Sequence, residues 1–157
     1  MINGMFTEIL LVALAAILVF AAAVDVRTFT ISNRLNLTVA LLAPVYWLSI
    51  ALPLWPGVGI QLLAAVLVFA LLAAAFFAGM MGGGDVKLAS ALALWFSPAS
   101  TVRFLVLMSL AGGVLTIGVL ALHRARRREG RPEIPYGVAI AAGGLAILAQ
   151  RFLNQFA

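Results

Sequence analysis

The sequence contains no cysteine and very little charge. Without cysteine, a disulfide scaffold, a thiolate metal site and a cysteine nucleophile are excluded. Charged residues make up 10% of the 157 residues and hydrophobic residues 65%, whereas about a quarter of an ordinary soluble domain is charged. So few charges cannot cover a soluble surface, and a disordered chain would need low hydrophobicity. The composition therefore predicts an integral membrane protein.

The apolar residues form long runs that three polar segments separate, at 25–34, 79–87 and 123–133. Residues 35–84 contain no charged side chain, which is too long for one membrane span and long enough for two. The turn-forming cluster at 53–57, with two prolines and a glycine, divides this stretch. The predicted spans are 5–24, 35–52, 58–78, 86–96, 99–122 and 134–156.

The basic residues favour six crossings over five. Segment 86–96 is shorter than a usual span, but if it crosses, all three basic loops lie on one side, as the positive-inside rule prefers. The sequence thus predicts an all-α integral membrane protein, a single polytopic domain over residues 1–157. It has six transmembrane helices, both termini outside and three cytoplasmic loops, of which 124–131 contains five arginines. A signal peptide is the weaker alternative for the first segment, because residues 1–8 carry no basic side chain.

Aromatic and basic side chains also fall near the predicted outer ends of the spans. Trp47, Trp55 and Trp95 are expected to anchor the helices at the membrane interface. Arg103 and Arg151 lie toward the same face, and we expect their long side chains to reach the polar interface.

Only five residues are acidic, and two of them stand at the same predicted membrane face. Asp25 follows the first span and Asp85 precedes the short fourth segment. A lone aspartate there can simply mark a helix end, but two on one side of an acid-poor chain favour a shared site. Carboxyl groups held close together share one proton, so one can activate water while the other donates to a substrate carbonyl. This hypothesis predicts peptide hydrolysis that needs no cofactor and no metal ion.

Three glycines, Gly82-Gly83-Gly84, directly precede Asp85. Each disfavours a helix by about 1 kcal/mol relative to alanine, but glycines let a backbone bend or another chain approach closely. Close packing of small residues between helices is the structural alternative. Lys87 is expected to pair with an aspartate or to contact lipid headgroups.

These residues resemble the motifs of the type IV prepilin peptidases, a family of membrane aspartyl proteases. Gly82-Gly83-Gly84-Asp85 matches the GxGD motif, and Val86-Lys87-Leu88 continues it as in that family. Asp25 with Ile31-Ser32-Asn33 is similar to the family's first aspartate motif, although Ser32 stands where the family usually has proline. Pro135-Tyr136-Gly137 is similar to its C-terminal Pro-Phe/Tyr-Gly helix.

The resemblance implies that Asp25 and Asp85 are the catalytic pair of a membrane-embedded aspartyl endopeptidase. Such an enzyme cleaves the leader peptide of type IV prepilins or pseudopilins at the cytoplasmic face of the inner membrane, and its product begins with an apolar helix. Gly82 and Gly84 would let the scissile backbone approach Asp85, and Asn33 would order the loop that carries Asp25. The remaining residues expected in the substrate-binding and loop set are Lys87, Pro135 and Gly137.

The chain has no cysteine and no room for the cysteine-containing domain that larger members link to N-methylation. It is therefore similar to the short form associated with tight-adherence (Flp) pili, and no methyltransferase activity is expected. The expected partners are prepilin or pseudopilin substrates and the lipid bilayer, without nucleic acid, and no oligomeric state is predicted. Two alternatives stay open: a small transporter or ion or proton relay that uses the same aspartates, and a GxGD protease with broader signal-peptide substrates.

Overall fold

The computed structural model describes residues 2–126 and 132–155, and these ranges are helical and contain no strand. The helices are α1 Ile2–Thr28, α2 Asn33–Ser49, α3 Gly59–Phe77, α4 Gly83–Ala93, α5 Pro98–Ala125 and α6 Tyr136–Gln155. A short π-helical turn, Leu54–Val58, precedes α3 at the predicted break. The predicted all-α class is therefore confirmed for the described residues, and so is the division into six helices.

Successive helices run in alternate directions, so the bundle has two ends. At one end Asp25 of α1 accepts a hydrogen bond from Gly137 of α6. At the opposite end the Thr7 hydroxyl of α1 donates to the Ser49 hydroxyl in α2 at 3.0 Å. We call the first the aspartate end, because Asp25 and Asp85 lie there, and the second the distal end.

Four helical segments in the described ranges are long and apolar enough to cross a bilayer: Gly4–Thr28, Leu54–Phe77, Pro98–Ala125 and Tyr136–Asn154. The other two helices are shorter, with 17 residues in α2 and 11 in α4. At 1.5 Å per residue α4 extends only about 16 Å, against about 30 Å for the hydrocarbon core. The protein is thus a multi-pass membrane protein with four helices of spanning length, where the sequence predicted six spans.

The first helix is a packed part of this bundle. Leu14 and Leu18 of α1 are completely buried, and α1 packs on both α2 and α6. The structure therefore favours the membrane-helix interpretation of this segment over the signal peptide.

The short helix α4 lies at the centre of the bundle. All of its residues from Asp85 to Ala93 are buried except Lys87, and α2, α3 and α6 pack around it. In contrast, α5 exposes large apolar side chains along its length, among them Val102, Leu110 and Ile117. Exposed apolar surface of this kind suits contact with lipid. The core is therefore built around a helix too short to span the membrane.

Side chains from α2 supply hydrogen bonds at both ends of α4. Asn36 Nδ2 donates to the Gly84 carbonyl oxygen at 2.9 Å, and Trp47 Nε1 donates to the Leu94 carbonyl oxygen at 2.8 Å. The last carbonyl groups of a helix have no partner within it, and hydrocarbon offers no water to replace one. The Trp47 indole therefore allows α4 to end inside the bundle.

The prediction that tryptophans anchor the outer ends of the helices is wrong for two of the three. Trp47 is buried, and so is Trp95, whose Nε1 donates to the Val39 carbonyl oxygen at 3.0 Å. Both indoles therefore connect α2 to the segment at the end of α4. Trp55 is 83% exposed, as an interfacial residue should be.

Candidate active site

Asp25 lies in the last turn of α1 and is 2% exposed. Its Oδ2 atom accepts a hydrogen bond from the Gly137 N–H at 2.7 Å. Gly137 is the second residue of α6, where the backbone N–H groups have no acceptor within the helix. The carboxyl group of Asp25 supplies one, and thereby joins the end of α1 to the start of α6, 112 positions along the chain.

Asp85 lies in the first turn of α4 and is 8% exposed. Its Oδ2 atom accepts a hydrogen bond from the N–H of Gly82, the residue that caps the helix, at 3.1 Å. An acid in the first turn often stabilises a helix in this way, so this bond alone indicates a structural role.

A second observation links the two acids. Asp85 lies in the polar segment 79–87, outside the helices of spanning length. Burial, and next the nearby charge of Asp25, raise the pKa of Asp85 to about 6, against the lowering effect of the Gly82 N–H. The two carboxyl groups therefore interact, as neighbouring acids in one site do.

Two glycines let the backbone segments around the acids come close together. A Cβ atom at Gly84 would lie 2.7 Å from the Ile31 carbonyl oxygen. One at Gly137 would lie 2.8 Å from Asp25 Oδ2 and 2.7 Å from Ile31 Cδ1. Glycine therefore fits at both positions, where any larger residue would displace its neighbours. Ile31, itself buried, lies against Gly84 in the helix that carries Asp85 and against Gly137 in the helix that binds Asp25.

Lys87 and Asn33 pair with each other beside the two acids. Lys87 Nζ donates a hydrogen bond to Asn33 Oδ1 at 2.8 Å, and both side chains are exposed. Lys87 thus pairs with an amide and not with an aspartate. This contact connects the start of α2 to the first turns of α4, close to Asp85.

Local turns position the remaining predicted residues. The Pro135 carbonyl oxygen accepts a hydrogen bond from the Val138 N–H at 3.1 Å, so Pro135 helps to build the turn that presents Gly137. Ser32 caps α2, and its hydroxyl accepts from the Leu35 N–H at 3.3 Å. Serine is among the preferred capping residues, and proline has no side-chain oxygen to do this. The departure from the family motif at Ser32 therefore has a structural explanation.

Asn36 is a residue of the candidate site that the sequence did not single out. It is 5% exposed and holds the carbonyl oxygen of Gly84, next to Asp85. Its own Oδ1 atom has no hydrogen-bond partner among the described residues. The sequence signal for Asn36 was an amide side chain directly before a mostly apolar stretch, 37–48.

An apolar cavity of about 430 Å³ opens beside the aspartates, between α3, α5 and α6. Its lining includes Met81, which precedes the Gly82 that binds Asp85, and Tyr136, which precedes the Gly137 that binds Asp25. Gly112 and Gly113 of α5 form part of its wall. The cavity therefore adjoins both backbone segments that hold the acids.

The structure brings together Asp25, Asp85, Gly82, Gly84 and Gly137, with the Lys87–Asn33 pair alongside. Within residues 2–126 and 132–155, no three histidine, aspartate or glutamate side chains form a group that could hold a metal ion. The fold and the site together define a class: a multi-pass, all-helical membrane protein with two interacting acids at one end of its bundle.

Comparison with known proteins identifies the family. The sequence profile of the type IV leader peptidase family matches residues 12–117, which is more than half of the chain and includes both aspartates. The chain belongs to the type IV leader peptidase family.

Two curated relatives carry the name prepilin leader peptidase/N-methyltransferase, from Burkholderia pseudomallei strains 1026b and K96243. Each is 30% identical over 149 residues, covering 86% of this chain and 44% of the relative. The chain thus spans less than half the length of these curated relatives. No solved structure matches it.

Proposed function

We propose that this protein is an aspartyl endopeptidase that removes the leader peptide of type IV prepilins or pseudopilins at the cytoplasmic face of the inner membrane. The observation that carries the proposal is the pair of buried acids, Asp25 and Asp85. They lie on different helices at one end of the bundle, beside backbone segments that both approach Ile31 closely. Membership of a leader peptidase family supports peptide hydrolysis as the reaction.

In the proposed reaction the two carboxyl groups share one proton. Asp85, with its raised pKa, holds that proton and donates it to the carbonyl oxygen of the scissile peptide. Asp25 takes a proton from a water molecule as the water oxygen attacks the carbonyl carbon. When the C–N bond breaks, Asp25 returns its proton to the leaving nitrogen and Asp85 recovers one from the diol.

The apolar cavity beside the acids is the proposed site for the apolar segment that follows the leader. It reaches from the Met80-Met81 segment to Tyr136, so a helix placed there would direct its first residues toward Asp25 and Asp85. The exposed starts of α2 and α4, where Lys87 and Asn33 meet, would then face the polar leader. The resemblance to the short form of the family favours Flp-type prepilins as the substrates.

The distribution of basic residues supports a cytoplasmic aspartate end. The basic residues at that end are Arg27, Arg34, Lys87, Arg124 and Arg126. Arg103 and Arg151 lie toward the distal end, and Arg127, Arg128 and Arg131 of the predicted arginine loop lie outside the described residues. Positive charge concentrates on the cytoplasmic side of membrane proteins. We place the termini outside accordingly. The short helices α2 and α4 would complete the six predicted crossings only together with the residues that flank them.

The test is cleavage of a co-expressed Flp-type prepilin, followed by gel shift. Asp25→Asn and Asp85→Asn should each reduce processing at least about a hundredfold, because each removes one partner of the proton exchange. Glu8→Gln is the matched control, since Glu8 is an exposed acid near the distal end of α1, and it should process the prepilin normally.

Normal processing by either aspartate variant would contradict the two-acid mechanism. Asp85-dependent proton flux into proteoliposomes, without cleavage of any prepilin, would support a relay instead. Equal cleavage of ordinary signal peptides would support a protease of broader specificity. Membrane insertion of every variant is checked by fractionation.

A further inference from the structure

A second cavity, of about 590 Å³, lies at the distal end of the bundle, and neither aspartate lines it. Its walls include Tyr46, Gln61, Trp95, Arg103 and Arg151, and among its described lining residues none is acidic. This volume lies within the range of sites that bind small molecules. The cavity is therefore separate from the proposed active site, and it is cationic.

Arg151 is held in place within this cavity. Its guanidinium group donates a hydrogen bond to the Tyr46 hydroxyl and lies 5.4 Å from the centre of the Tyr46 ring. Tyr46 is 2% exposed and stacks on Trp95, with ring centres 5.0 Å apart. A guanidinium group has five N–H donors, so Arg151 keeps donors for a ligand. Arg103, in the second turn of α5, brings a second guanidinium to the same cavity.

Gln61 contributes a buried polar atom that lacks a partner. Its side chain is 7% exposed, and Nε2 donates a long hydrogen bond of 3.4 Å to the Leu94 carbonyl oxygen. The Oε1 atom has no hydrogen-bond partner within the described ranges. A buried acceptor left unpaired is unfavourable, so this atom indicates a ligand that also donates a hydrogen bond.

The cavity lies where lipid headgroups are expected. Arg103 is near the start of α5 and Arg151 near the end of α6, and both helices are of spanning length, so these ends reach the headgroup region. Ile60, which is 44% exposed, lines the cavity at the start of α3. The exposed side chains of Leu63 and Val66 continue this apolar surface along α3.

We infer that the distal cavity binds one anionic phospholipid whose headgroup carries a hydroxyl group, of the phosphatidylglycerol type. The phosphate contacts Arg103 and Arg151, a headgroup hydroxyl donates to Gln61 Oε1, and the acyl chains lie on the exposed apolar face of α3. Charge-assisted contacts between arginine and phosphate are strong and specific, and basic pockets between membrane helices recognise such headgroups. The bound lipid would connect α2, α5 and α6 at the end of the bundle away from the aspartates. This inference does not depend on the peptidase proposal.

The test is native mass spectrometry of the full chain in a neutral detergent, titrated with phosphatidylglycerol, phosphatidylcholine or inorganic phosphate. We expect phosphatidylglycerol to bind about tenfold more tightly than phosphatidylcholine. The double variant Arg103→Gln/Arg151→Gln should weaken phosphatidylglycerol binding at least about tenfold. The matched control Arg124→Gln/Arg126→Gln removes the same charge from the aspartate end of the bundle and should bind as the wild type does.

A second variant keeps the inference testable if the double variant does not fold. Gln61→Leu preserves side-chain size and total charge but removes the acceptor. The wild type should prefer phosphatidylglycerol over phosphatidic acid, whose headgroup lacks the glycerol hydroxyl. Gln61→Leu should abolish this preference. Three results would overturn the inference. Phosphatidylglycerol and phosphatidylcholine could bind equally well, or the two double variants could lose equal affinity for phosphatidylglycerol. Inorganic phosphate could also bind as tightly as phosphatidylglycerol, which would indicate a site for free anions.

Discussion

The two ends of the helix bundle are built from different kinds of residue. At the aspartate end, Gly84 and Gly137 bring backbone segments close to the acids because they have no side chains. At the distal end, large rings fill the space between helices: Tyr46 stacks on Trp95, and the Trp47 and Trp95 indoles donate hydrogen bonds to backbone carbonyl groups. The aspartate end allows backbone segments to approach closely, whereas the distal end holds the helices together through packed rings and hydrogen bonds.

This difference between the two ends explains how the short helix α4 can hold Asp85 in a fixed position. Glycines at the start of α4 weaken the helix there, and α4 cannot reach both membrane surfaces by itself. The Trp47 and Trp95 indoles connect α2 to the segment where α4 ends, and Asn36 connects α2 to its start. We expect changes at the aspartate end to affect cleavage and changes at the distal end to affect stability.

The largest expected effect at the aspartate end, after loss of an acid itself, comes from Gly137→Ala. The added Cβ would lie 2.8 Å from Asp25 Oδ2 and would displace the carboxyl group. A displacement of about 1 Å can reduce the rate about a hundredfold, and gel-shift kinetics of prepilin cleavage measure it.

Gly118→Ala is the control for this change, because a Cβ there meets nothing within 4 Å in the described part of the chain. If Gly137→Ala cleaves as fast as Gly118→Ala, the close fit around Asp25 has no catalytic importance. The expectation that changes at the aspartate end affect cleavage would then be wrong.

The protonation of Asp85 provides the next test. Because its pKa is raised to about 6, Asp85 stays protonated at acidic pH and loses the donated proton as the pH rises through that value. The cleavage rate should therefore fall above about pH 6, by up to about tenfold per pH unit. Single-turnover cleavage by the purified protein measures this, and thermal unfolding across the same range controls for loss of structure. A rate that keeps rising to pH 9 would contradict Asp85 as the proton donor.

A smaller effect is expected from filling the apolar cavity beside the acids. Gly113 lines that cavity and has open space around it, so Gly113→Leu should enter the cavity without disturbing the fold. We expect a KM about tenfold higher at similar kcat, because lost contacts with the apolar substrate segment weaken binding. Gly118→Leu, on the same helix and outside the cavity, is the matched control. Identical kinetics of the two variants would place the substrate elsewhere.

The smallest effect is expected at the distal end. Trp95→Phe keeps an aromatic ring for stacking on Tyr46 but removes the hydrogen bond to the Val39 carbonyl oxygen. The free energy of unfolding should fall by about 1 kcal/mol, seen as a lower Tm in detergent, with an unchanged cleavage rate. Trp55→Phe, at an exposed position, should change neither quantity. Reduced cleavage at unchanged Tm would show that the distal end takes part in catalysis.

The small number of acids is what singled out the central residues of the candidate site. In a chain with five acids, Asp25 and Asp85 stand out at the polar boundaries of apolar runs, and the glycines before Asp85 mark a place of close approach. Both acids indeed lie at one end of the bundle. The roles of Lys87 and Asn33 were not predictable, because their contact joins positions 54 residues apart.

The sequence by itself determined that this chain is an all-helical membrane protein, because long apolar runs must satisfy their backbone hydrogen bonds internally in lipid. It also determined which residues are acidic, which are glycine and where helices break. Only the tertiary structure decided that α4 is central, that Trp47 and Trp95 are buried, and that Ile31 packs between Gly84 and Gly137. The reason is that lipid-facing and core-facing side chains are equally apolar, so only packing between helices distinguishes them.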